Sequence, residues 1–383
     1  MEKKPVTRVP IDSHYLKHIL VALLNIPSPS GYTDQIVHFV GQELQKLGIA
    51  HNVTRRGAIR ATLKGRMRDT LDRAVTVHLD TLGAMVRRVK PNGRLAIASV
   101  GTWSSRFAEG GRVTIYADSG PIRGTVLPLK SSGHAYGEAV DTQPAGWDHV
   151  ELRVDDEGQQ PGETIKTDIQ VGDFVAFDAL PEISDAGFIN ARHLDDKAGV
   201  AILLTVAKAL KEEKIDIPID CHLIFTIFEE VGSGASAAVY GDVTEMVVID
   251  HAPVAPNQNA TEFHAVVCMM DQTGPFDYHL SRKLLALGRE NGIDLIKDVF
   301  RFYRSDSASA IEAGNDTRTA LLGFGLDGSH GYERTHLSSL IAVADLIALY
   351  VQSAPTFSRD KDTLASLNGF PHQPDREVIQ IET

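Results

Sequence analysis

Glu229 and Glu230 constrain a chemical reading of this 383-residue chain more than any other pair. They lie in FTIFEEVG, Phe225 to Gly232, as neighbouring carboxylates at the end of an apolar run, Leu223 to Phe228. Both must lose water there, and they repel each other. A cation beside them removes that cost. The plain alternative for an isolated Glu-Glu pair is a strand end facing bulk water. Adjacent residues on an extended chain point differently, so one can ligate while the other moves a proton.

Other strand-like runs end in residues of matching chemistry. In TVHLDTLG, His78 and Asp80 are two apart, which on a strand puts both side chains on one face. His78 could ligate a metal while Asp80 accepts the proton of its other ring nitrogen; a core histidine is the alternative. In ARHLDDKAGV, Asp195 stands between a loop and a helix start. It is either an ordinary N-cap or a carboxylate bridging two metals, with Asp196 bracing its neighbours. Asp250 ends the apolar run of VVIDHAP, as a turn former or as a group facing the crevice at the carboxyl end of a parallel strand. GSHGYERTHLSS offers His336, directly before the last helix, and His330, six residues earlier. His251, beside Asp250, is a further nitrogen.

Two histidines and three carboxylates, one shared, suit two Zn²⁺-like ions about 3.5–4 Å apart. Such a pair polarises a carbonyl and lowers the pKa of a bridging water to about 7. A neighbouring Glu then carries the proton to the leaving amine. Zinc, cobalt and manganese all accept such ligands.

The elements that would position these groups alternate in type. Ser13 caps a predicted helix over His14–Leu24, and Thr33 opens another to Leu47. Strands are expected at 51–54, 58–63 and 74–78. From Met85 to about Asp178 the texture becomes short β-like runs punctuated by turn signals, which predicts a small β-barrel or sandwich. The α/β alternation then returns. It comprises a helix from Lys197 to about Lys214, a strand over Ile219–Phe228 and helicity over Gly234–Tyr240. Further strands are expected at Met246–Ile249, Phe263–Met270, Val299–Tyr303 and Thr319–Phe324. Helices are expected at Tyr278–Asn291 and Ser338–Gln352, with a helical turn at Ser307–Ala313. Alternation of this kind predicts an α/β fold, a mostly parallel sheet flanked by helices. The expected division is a discontinuous catalytic domain, 11–84 and 179–354, an inserted β-rich domain, 85–178, and a C-terminal tail, 355–383.

With 43% hydrophobic residues the chain can bury a large core. A net charge of −12 argues against nucleic acid or an anionic membrane as partner. Cys221 and Cys268 fall in apolar runs and read as buried thiols. No run of eighteen apolar residues and no cleavable leader pattern is present, so a cytoplasmic address is the default expectation.

At HLDTLG, HLDDKAG and EEVGSGA the chain resembles the tetrahedral-aminopeptidase and glutamyl-aminopeptidase family of dinuclear metallopeptidases, over about residues 15 to 352. The resemblance implies a zinc-peptidase-like catalytic domain interrupted by a β-rich domain used in dimer contacts, and a homo-oligomer from dimer up to dodecamer. By resemblance, His78, Asp195, Glu230, Asp250 and His336 are metal ligands, with Asp195 bridging. Glu229 is the general base, and Asp80 orients the first histidine. Arg304-Ser305-Asp306-Ser307 looks like the family's loop beside the substrate cleft, with Ser305 where glycine is usual. The segment ERTHLSS departs from the family's RYIHS-like pattern, which leaves the last ligand between His336 and His330. His336 is preferred because it abuts the final helix. Leu82 stands where an acidic or polar residue is more usual. The resemblance also extends to relatives associated with blocked dipeptide osmolytes, which implies a substrate other than an ordinary peptide.

The expected activity is a two-metal aminopeptidase acting on short peptides. The first rival is a metal-dependent deacylase or amidase acting on a blocked dipeptide or an acylated small molecule. The second is an assembly subunit that has lost catalysis.

Overall fold

The structure, a computed structural model, describes residues 6–67, 71–155, 168–239 and 243–374. Asp12 accepts the backbone N–H groups of His14 and Tyr15 and so starts α1, Ser13–Leu24. The sequence pointed to Ser13 as the cap; the carboxylate one residue earlier takes that role. Leu16, Ile19, Leu20 and Leu23, at helical spacing, face inward. Helix α2, Asp34–Lys46, precedes β1, His51–Val53, β2, Ile59–Leu63, and β3, Asp72–His78.

The next six strands close on themselves. They are β4 (Gly83–Val89), β5 (Leu95–Val100), β6 (Arg112–Ala117), β7 (Gly120–Pro128), β8 (Val150–Val154) and β9 (Phe174–Phe177). Two single-turn helices, α3 (Gly133–Tyr136) and α4 (Ala139–Thr142), lie between β7 and β8. The closed order is β4-β5-β8-β7-β6-β9, antiparallel throughout. Of the two expected forms, barrel and sandwich, the fold is the barrel. Its interior, with Val86, Ile97, Val113, Ile115, Leu152 and Val175, is a hydrophobic cluster separate from the main core.

The chain then returns to the large sheet. β10 (Glu182–Ile183) and β11 (Phe188–Ala191) lead to α5 (Leu194–Glu212), β12 (Asp220–Thr226), β13 (Val243–Val254), β14 (Ala265–Asp271) and β15 (Gly274–Pro275). α6 (Tyr278–Glu290), β16 (Leu295–Val299), α7 (Asp306–Glu312), β17 (Arg318–Asp327), β18 (Glu333–His336) and α8 (Leu337–Gln352) complete it. The order is β1-β2-β12-β3-β13-β17-β18-β11-β10, with β14 branching from β17 and itself pairing with β15 and β16. The centre, β12-β3-β13-β17, is parallel. α5 and α8 are buried along most of their length, as helices covering such a sheet must be.

Three local expectations change. Asp250 does not end its strand: β13 pairs with β3 only through Val248, then runs on beside β17 to Val254. The strand expected at Val299–Tyr303 ends at Val299, and residues 300–304 form a loop. Gly234–Tyr240 holds only a 3-10 turn, Ala235–Ala237; Tyr240 lies outside the described residues, as do 375–383 of the tail. No helix among the described residues is long and apolar enough to cross a membrane.

Candidate active site

The carboxyl ends of β3, β12 and β13 open a crevice, the usual ligand position in a parallel sheet. His78 is the last residue of β3 and pairs in register with Thr226 of β12. Its Nδ1 lies 2.9 Å from the Asp80 backbone carbonyl. That contact fixes Nδ1–H as donor and turns Nε2 toward Asp195 Oδ1, 3.0 Å away. The Asp80 carboxylate stands 3.8 Å from Nδ1, so the expected imidazole–carboxylate bond is replaced by a carbonyl contact. The carboxylate instead accepts the backbone N–H groups of Glu229 at 3.1 Å and Glu230 at 3.3 Å, and the Ser30 hydroxyl. Asp80 thereby fixes the backbone that carries both glutamates.

Asp195 is the hub. His78 Nε2 approaches Oδ1, while His251 Nδ1 at 3.0 Å and His330 Nε2 at 3.4 Å approach Oδ2. Asp250 Oδ1 lies 3.1 Å from His251 Nδ1, and Glu230 lies 3.8 Å from His330 Nε2. Glu229 lies 3.9 Å from His78 Nε2. Two ligand-like groups result, His78-Asp195-Glu230 and Asp195-Asp250-His251, sharing Asp195.

His336 is not brought here. Its Nδ1 accepts the N–H of Ser338 as the N-cap of α8, its Nε2 lies 2.8 Å from the Ala186 carbonyl, and its ring packs on Phe188 and Phe263. The preference for His336 over His330 is therefore corrected. Abutting the last helix makes His336 a cap, whereas His330 sits in the loop between β17 and β18 that folds over the crevice.

Three further carboxylates support the site: Glu333, which had no sequence signal, Asp306 of the loop singled out by resemblance, and Asp196, expected to brace its neighbours. Glu333 is buried and accepts the N–H of Asp195 at 3.2 Å and of His330 at 3.0 Å. Asp306 accepts from the Thr226 hydroxyl at 2.6 Å and the Ala235 N–H at 2.7 Å, pinning both ends of the loop that carries Glu229 and Glu230. Asp196 accepts the His78 N–H at 3.1 Å.

The electrostatics are those of a crowded acidic cage. Burial, then repulsion from Asp250 and Asp306, holds Glu229 well above the usual carboxylate range. Burial and Asp195 do the same for Glu230. Burial raises Asp195 too, but His251, His330 and His78 together bring it well below its ordinary value. Burial pushes Glu333 up to about 7, with Asp195 adding to the rise. Buried carboxylates gathered around one shared carboxylate and three imidazoles are a donor set that fits divalent cations, which would relieve the repulsion. The cluster lies on the wall of a cleft of about 1050 Å³, whose other walls include Trp103 and Phe107 of the barrel and the loop Phe300–Arg304.

Residues 57–346 match the family model described as M42 glutamyl aminopeptidase. The chain belongs to the M42 family. Across 337 residues it is 36% identical to YhfE of Bacillus subtilis (strain 168), which carries a provisional aminopeptidase name; the match covers 88% of this chain and 96% of YhfE. Among solved structures, the aminopeptidase APDkam598 of the archaeon Desulfurococcus kamchatkensis superposes with a TM-score of 0.79 at 17% identity, covering 92% of this chain and 98% of that one. The Pyrococcus horikoshii TET1 peptidase, described as assembling into a tetrahedron or a large octahedral shell, superposes at 0.75 and 21% identity, covering 88% and 99%. As an M42 member the protein is a hydrolytic enzyme, a metallopeptidase of the aminopeptidase kind.

Proposed function

We propose that this M42 enzyme is a two-metal aminopeptidase acting on short peptides. His78, Asp195, Glu230, Asp250 and His330 would hold the ions, with Asp195 shared and His330 in the role first expected of His336. Zinc is the first choice, with cobalt or manganese as alternatives. When bound, such ions supply Lewis acidity toward a carbonyl oxygen and toward water. Glu229 takes the proton from the attacking water and delivers it to the departing nitrogen. Asp80 acts on this step indirectly, by holding the Glu229 and Glu230 N–H groups. The observation that carries the reading is the convergence of His78, His251 and His330 on the two oxygens of Asp195 at the cleft wall.

The test is Glu229→Gln, which keeps the shape and removes the base. The variant should retain its metal while kcat falls about a hundred- to ten-thousand-fold. Wild-type kcat in a metal-loaded variant overturns the assignment.

One observation favours the amidase reading. All the acids lining the cleft belong to the metal cluster, while Arg301 and Arg304 are its other charged groups. Among the described residues lining the cleft, no separate carboxylate waits for a free α-ammonium, so an N-blocked substrate fits as well. A panel of free and N-acylated dipeptides, assayed with each metal restored, separates the two readings. Likeness to the TET1 peptidase supports a homo-oligomer; the barrel, whose strands run from Gly83 to Phe177, is the contact domain in this reading.

A further inference from the structure

We propose that His251 is a third imidazole of the metal centre, ligating through Nδ1 the ion held between Asp195 and Asp250. The proposal rests on the two-ion reading above and adds a ligand to it.

His251 Nδ1 lies 3.0 Å from Asp195 Oδ2 and 3.1 Å from Asp250 Oδ1. With metal–ligand bonds of about 2.1 Å, ligand atoms sit roughly 3.0 Å apart at a right angle and roughly 3.4 Å apart in a tetrahedron. Nδ1 and the two oxygens are therefore spaced as one coordination sphere. The separations also suit hydrogen bonds, so distance alone does not decide.

The surroundings of the ring do. An Nδ1–H shared between these carboxylates would point at the space where their lone pairs meet an ion. Once Asp195 and Asp250 ligate, that proton faces a cation and the arrangement becomes repulsive. The other tautomer removes the conflict: the proton sits on Nε2 and the Nδ1 lone pair faces the ion. Nε2 meets no hydrogen-bond partner among the described residues, and the ring lines the cleft, so water entering the cleft can accept an Nε2–H. The ring packs edge-to-face with Tyr303, centroids 5.0 Å apart, which limits its rotation.

Position along β13 explains how neighbours on one strand reach one ion. β13 has left β3 behind at Val248, so Asp250 and His251 lie where one side of the strand is unpaired. The Asp250 carboxylate turns back along its own chain to accept the His251 N–H at 2.6 Å. Side chains two successive residues would normally send to opposite faces thus converge. A third imidazole also makes the centre richer in nitrogen, which favours zinc or cobalt over manganese.

The experiment is an anomalous-scattering crystal structure of the zinc-loaded protein, paired with chelator competition on wild type and His251→Gln. The expected result is two zinc ions, with His251 Nδ1 about 2.0–2.1 Å from one of them. His251→Gln should then weaken one of the two equivalents by more than the roughly 10–100-fold that losing a bracing residue costs. Two ions with His251 Nδ1 beyond 3 Å from both would overturn the proposal and leave the two-ion reading standing. An absence of zinc at Asp195 would overturn both.

Discussion

Glu333 touches no candidate ligand atom, yet its two oxygens hold the backbones of the hub, Asp195, and of His330. Glu333→Ala should lower metal affinity about 10–100-fold, measured by chelator competition, with secondary structure unchanged by circular dichroism. The two histidines of the β17–β18 region give a sharper contrast. His330→Ala should abolish tight binding of one equivalent of metal. His336→Ala should leave metal content intact and cost about 1 kcal/mol, as for loss of a helix cap. Equal metal loss in both variants would show that His336 reaches the centre after all. At this scale the sequence displayed the ionisable residues but not their directions. His330 and His336 are both histidines near a helix, and only the course of the loop distinguishes them. Glu333 acts through backbone N–H groups, which carry no residue-type signature.

Two glycines show how the elements hold their cargo. At Gly199 in α5 an added Cβ would fall 2.1 Å from Asp196 Oδ1, and at Gly234 one would fall 2.3 Å from Asp306 Oδ1. Both carboxylates are buried between backbones, so neither can step aside cheaply. Gly199→Ala should displace Asp196 from the His78 N–H, destabilising the fold by about 1–3 kcal/mol and lowering kcat. A thermal midpoint equal to wild type would show that α5 shifts freely. The same scale explains what was legible. Long apolar periodicities gave α1, α5, α6 and α8 within a few residues, and the loss of helical period after Met85 gave the barrel's β character. The two- to four-residue strands β10, β11 and β18 carry too short a pattern to read. β13 misled because Asp250 is a polar residue inside a strand, a break of pattern that its chemistry requires.

The molecule as a whole is tied by a buried ion pair remote from the cleft. Arg73 on β3 meets Glu245 on β13 at 2.9 Å, and its guanidinium also donates to the Tyr350, Val351 and Ser353 carbonyls at the end of α8. Burial would raise Glu245, but Arg73 and Lys283 outweigh it and hold the group at about 2, below its ordinary 4.5. A carboxyl depressed on folding stabilises the fold above its unfolded value and loses that contribution as pH falls from about 4.5 toward about 2. Glu245→Gln should cost about 3–5 kcal/mol at neutral pH, since Arg73 is left unpaired. It should also flatten the pH dependence of the urea midpoint across that acid window; an unchanged slope there would assign the acid sensitivity to other groups.

The loop after β5 reaches from the barrel into the crevice. The Thr102 carbonyl lies 3.0 Å from His330 Nδ1, and Gly101, at φ +85°, leaves no room for a side chain against Leu82. The insert therefore cannot be traded as a self-contained cassette. A chimaera carrying another protein's barrel would inherit its stability but lose the tautomer lock on His330, unless the graft reproduced that one turn of main chain.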